Sequence, residues 1–82
     1  MDHIIVNIHP FIMEQEIQVY REGKCINVSK STMQELEEDI AIKAKLYNIT
    51  NIDLAGDKNF SRRIKERLTQ NKFDLDLDIK IY

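Results

Sequence analysis

The residues of this chain that could do chemistry are Asp53, Asp74, Asp76 and Asp78, together with Asn7 and His9. Carboxylates on neighbouring strands can give a divalent cation its oxygen ligands, and two cations so held support phosphoryl chemistry. Asp53 and Asp76 are expected on adjacent strands of an uncovered sheet face, with Asp78 beside them. The plainer reading of the same set is a solvated acidic face that keeps the sheet soluble and guards an edge. His9 precedes Pro10 and reads as a turn histidine, and His3 lies close to the chain start. Cys25 is the only cysteine, which excludes an internal disulfide and a cysteine zinc site. No catalytic residue, metal ligand or cofactor is assigned.

Three further groupings point to binding rather than reaction. Gly56 at a strand-to-helix junction could let a helix N-terminus meet a phosphate. Asp57 puts a negative charge at that place, and the several glycines or the lysine-serine pair of nucleotide loops are lacking, so a turn and helix cap is the expected role. Lys58, Arg62, Lys65 and Lys72 fall together at about 100° per residue, opposite Phe60, Ile64 and Leu68. Such a basic stripe can track phosphates or meet an acidic partner, and it can equally be an ordinary solvated face. No aromatic residue on it offers base stacking. Ile42 and Leu46 lie one turn apart, off the apolar stripe of their helix, and mark a candidate self-association surface.

The chain has 82 residues, 43% of them hydrophobic and 32% charged, with a formal net charge of -2. This suits one soluble domain spanning 1–82, with no global basic field for nucleic acid. No apolar run approaches the roughly 18 residues of a membrane span, and no signal-peptide pattern opens the chain. A cytoplasmic protein is expected. With two glycines and one proline, most residues should lie in regular elements.

The elements follow from periodicity. Ile4–His9 reads as a strand ended by Pro10, and Phe11, Ile12 and Met13 as an apolar connection. Glu14–Tyr20 alternates with Ile17 and Val19 inward. Arg21–Lys24 is a turn, and Cys25–Ser29 is a strand with Ile26 and Val28 inward. The first helix is expected to start at Ser31 or Thr32, each with a capping-box partner in Gln34 or Glu35. Its inward stripe is Met33, Leu36, Ile40, Ala44 and Tyr47, and Asn48 is its left-handed cap. Ile49–Ala55 is a strand with Ile52 and Leu54 inward. Asp57 caps a second helix, on which Glu66 is placed to pair with Arg62 and Arg63. Asp74–Ile81 alternates strictly, with Leu75, Leu77, Ile79 and Ile81 on the buried face.

Right-handed crossovers put both helices on one sheet face. The expected fold is therefore a two-layer α/β (α+β) sandwich, β-β-β-α-β-α-β, with a five-stranded mixed sheet in the order 3-2-1-4-5. This order of elements resembles a minimal ribonuclease H-like fold. That resemblance implies an aspartate in the middle of the first strand, where this chain has Asn7 within Ile5-Val6-Asn7-Ile8. Asp53 and Glu35 complete no triad, so the resemblance in topology does not extend to nuclease chemistry. The stretches Ile4 to Glu16 and Tyr47 to Lys65 resemble small proteins of bacteriophages and prophages of low-GC bacteria. This implies a small accessory or host-directed binding protein. The expected function is a non-catalytic protein-interaction module, with a homodimer as one form. The alternatives are a nucleic-acid-binding module using the second helix, and a degenerate or metal-dependent hydrolase.

Overall fold

The structure, a computed structural model, describes residues 2–70 and 73–82. Strands β1 (His3–Ile8), β2 (Glu14–Arg21) and β3 (Lys24–Thr32) precede helix α1 (Leu36–Tyr47), strand β4 (Asn51–Gly56), helix α2 (Lys58–Thr69) and strand β5 (Asp78–Ile81). The strand order is β3-β2-β1-β4-β5. β1 pairs antiparallel with β2 and parallel with β4, and β4 pairs parallel with β5. This is the topology expected from the sequence.

Period-two alternation decides which face is covered. Ile4, Val6 and Ile8 of β1, Ile17 and Val19 of β2, and Ile52 and Leu54 of β4 are buried. They meet Leu36, Ile40 and Ala44 of α1 and Ile64 and Leu68 of α2, so both helices cover one face. Ala41 and Ser61 are buried as well, and Ser61 Oγ donates to the Asp57 carbonyl at 2.7 Å. Asn48 caps α1 in the left-handed region. At the far end of β1, Arg21 binds Asp2 at 3.1 Å and also the Tyr47 carbonyl. The Glu22 backbone N–H and the Arg21 guanidinium hold the Asp2 carboxyl below the usual carboxylate range.

Four local expectations are corrected. α1 begins at Leu36 and not at Ser31 or Thr32, because both residues continue β3, opposite Gln15 and Glu14. Neither capping box forms. Glu35 occupies the cap position without a side-chain bond, and Thr32 Oγ1 meets the Glu35 carboxylate at 3.3 Å. Ile26 and Val28 are exposed instead of inward. Val28 stands opposite Gln18, so it shares the uncovered face, and Ile26 is the extra residue of a bulge between the Val19–Asn27 and Tyr20–Cys25 pairs. β5 is limited to Asp78–Ile81, because its partner β4 begins at Asn51, opposite Asp78, and Asp74 further upstream is left-handed. Leu75 and Leu77 still pack against the core. Glu66 makes no ion pair with Arg62 or Arg63 among the described residues. Arg63 lies over the Phe60 ring at 5.5 Å, and Arg67 binds Glu37 across the helices at 2.6 Å.

Candidate functional site

The acidic set does not converge. Asp53 stands opposite Ile5 on one side and Lys80 on the other, while Asp78 stands opposite Asn51. Asp76 lies outside β5, so the expected Asp53–Asp76 neighbours are not formed. His3 Nδ1 is 2.8 Å from Asp53 Oδ2, and the His3 ring meets Tyr20 edge-on at 5.3 Å. A lysine and a histidine thus take the places where further carboxylates would complete an ion's shell. Among the described residues no group of three or more histidine, cysteine, aspartate or glutamate side chains is placed to hold a metal.

Gly56 and Asp57 act in the fold. Gly56 has φ +95, and a Cβ there would run into the Ile8 carbonyl oxygen. The Asp57 N–H donates to that carbonyl at 2.9 Å, and the Asp57 carboxylate accepts from the Phe60 N–H at 2.9 Å. Two of the backbone donors at this helix end, those of Asp57 and Phe60, are therefore already taken, and the Asp57 carboxylate occupies the place of an anion.

The two candidate partner surfaces are placed as follows. Lys58, Arg62 and Lys65 are exposed on α2, and no side-chain ion pair engages them among the described residues. Lys72 lies outside the described residues. Ile42 and Leu46 are 57% and 68% exposed on α1.

The most unusual surface is one that the sequence reading passed over as a connection. Between β1 and β2, Phe11 is 100% exposed and Met13 87%, with Ile12 more than half exposed between them. Gln15 braces this loop from below, its side chain buried on the helix-covered face. Its carbonyl oxygen accepts from the His9 N–H at 2.6 Å, and its amide donates to the His9 and Ile12 carbonyls, both at 2.9 Å. The Ile12 N–H closes a turn onto the His9 carbonyl at 3.1 Å, with Pro10 at its second position. One buried amide therefore fixes both sides of the turn, and the apolar side chains point away from it.

Beside the loop, on the uncovered face, Asn7, His9, Ile12, Glu14, Glu16 and Lys30 line a shallow open depression of about 300 Å³. It joins an apolar wall from Ile12 to the carboxylates of Glu14 and Glu16. The parity of β2 did carry a signal for Gln15. If Ile17 and Val19 point inward, so does Gln15, and a buried amide must find partners.

No family model matches the chain, and no curated protein and no solved structure matches it. Among the described residues no helix is long and apolar enough to cross a membrane.

Proposed function

We propose that this chain is a non-catalytic protein-binding module whose docking element is the β1–β2 loop. The observation that carries the reading is a turn bonded on both sides by the Gln15 amide and presenting Phe11, Ile12 and Met13 to solvent. Aromatic and methionine side chains are the usual anchors of protein interfaces. Burying each would return about 1.5–3 kcal/mol, set against the cost of association. Bracing by Gln15 lowers that cost, because the loop is ordered before its partner arrives. On the ribonuclease H-like resemblance, Asn7 takes the place of a catalytic aspartate, and Lys80 faces Asp53, which supports a binding role over a hydrolytic one. In this reading the protein works in the cytoplasm, is carried by a phage or prophage of a low-GC bacterium, and acts on a host protein.

Affinity capture from nuclease-treated lysate of a low-GC bacterium tests it, with mass spectrometry as the readout. Wild type should retain a discrete protein that Phe11→Ser/Met13→Ser does not. Equal capture by both removes the loop reading. Capture that is lost only in Lys58→Glu/Arg62→Glu/Lys65→Glu assigns binding to α2, which the unpaired cations there also favour. Nucleic acid recovered with wild type from untreated lysate would mark α2 as a nucleic-acid surface.

The exposure of Ile42 and Leu46 favours a homodimer through α1 as a second reading. On it, sedimentation equilibrium at about 100 μM shows dimer for wild type and monomer for Ile42→Glu/Leu46→Glu. A wild type that stays monomeric removes it.

A further inference from the structure

β3 is the longest strand of the sheet and pairs only with β2. Its outer edge therefore carries unpaired backbone donors and acceptors. Natural sheets blunt such an edge with a short strand, a proline, a bulge, lysines, an inward-pointing charge or a covering element. Of these β3 has the bulge and two lysines, which oppose pairing with a like-charged strand and admit an acidic one. β3 runs from Lys24 to Thr32 without a proline, and its bulge disturbs only the end near Ile26. From Asn27 to Thr32 the register is regular; the Asn27 carbonyl meets Cys25 Sγ and the Thr32 carbonyl accepts from the Glu35 N–H, so the straight free edge lies between them.

The charged residues of the strand itself are cations, although Glu16 stands opposite Lys30 and the Glu35 carboxylate meets Thr32 Oγ1 at the strand end. β3 contains Lys24 and Lys30 and no carboxylate. Lys30 pairs with Glu16 in register and so lies on the uncovered face. Lys24 pairs with Arg21, whose guanidinium reaches the end of α1, and so lies on the helix side. Lys43 of α1 adds a third cation on that side, its Nζ 2.7 Å from Asn27 Oδ1. Cations thus flank the edge on both faces, and exposed Val28 supplies an apolar neighbour between them. A second copy pairing through the same edge with Lys30 at the twofold axis would bring lysine against lysine, which opposes that register.

We infer that the outer edge of β3 accepts an extended acidic segment of a partner protein as a sixth strand. Backbone hydrogen bonds supply the attachment, and the lysines on both faces select carboxylates. The surface adjoins the β1–β2 loop at Lys30, which lines the depression with Ile12, but it includes neither Phe11 nor Met13, so the Phe11→Ser/Met13→Ser variant leaves it unchanged.

The probes are three capped octapeptides: repeated Glu-Glu-Val-Val, which puts glutamates on both faces of a strand, the same repeat with lysine in place of glutamate, and the glutamate peptide N-methylated along one edge. Each is titrated into the ¹⁵N-labelled full chain. The glutamate peptide should shift amides of Asn27 to Thr32 and bind about tenfold tighter than the lysine peptide, as two modest charge pairs require. N-methylation should abolish binding by removing strand donors. In Lys24→Glu/Lys30→Glu the preference should reverse, with the spectrum elsewhere unchanged. Equal binding of the two peptides, binding of neither, shifts centred on α2, or a preference that survives the charge swap each overturn the inference.

Discussion

β1 and β4 run parallel and end level, with Ile8 opposite Gly56, yet the chain leaves them in opposite ways. After β4, Asp57 alone connects to α2. It bonds back to Ile8 and caps the helix in the same step. After β1, His9 to Met13 intervene before β2, although antiparallel neighbours can be joined by a two-residue turn. The β4 exit spends its residues on the fold. The β1 exit adds length, uses a buried amide to hold it, and turns Phe11 and Met13 outward. Folding alone does not require that arrangement, and this is why the β1 exit is read as a surface for a partner.

Substitutions should separate the two exits. The largest effect is expected at Gly56→Ala. The left-handed backbone and the collision with the Ile8 carbonyl should together cost about 2 kcal/mol or more. A lower urea midpoint with unchanged slope would show it. Wild-type stability in this variant would mean that the β4 exit is looser than described.

A smaller effect is expected at Gln15→Ala. Three hydrogen bonds are lost, but water can reach the partly exposed loop, so about 1–3 kcal/mol is expected. The loss should be local, with faster amide exchange at His9 and Ile12 than in β1. Phe11→Ser/Met13→Ser should change stability by about 0.5 kcal/mol or less, since neither side chain packs on the core. If that pair destabilised the protein as much as Gln15→Ala, the loop would belong to the fold.

Periodicity carried the strand order and the core, because Ile4, Val6, Ile8, Ile52 and Leu54 alternate cleanly and each crossover has one favoured hand. It failed where a neighbouring strand decides the face. Ile26 and Val28 are the apolar residues of β3 and were expected inward. Pairing with β2 puts Asn27 and Ser29 on the covered side instead, opposite Val19 and Ile17. Ser31 and Thr32 look like helix caps in isolation, but β2 extends far enough to pair them as strand. In the last segment, strict alternation from Asp74 to Ile81 gave no warning of a left-handed Asp74. The candidate site was legible only in part. Phe11, Ile12 and Met13 stand out as apolar, but their exposure depends on Gln15, and the contacts of that side chain are a property of the folded turn.

The central claim is that the apolar β1–β2 loop is ordered by its own bonds and displayed before any partner binds. ¹⁵N relaxation on the isolated protein measures this at His9, Phe11, Ile12 and Met13. The account predicts order parameters of about 0.85, equal to those of the strands, in wild type, with a fall in Gln15→Ala. Values below about 0.6 in wild type would contradict it, because the apolar side chains would then belong to a flexible connection and not to a built surface.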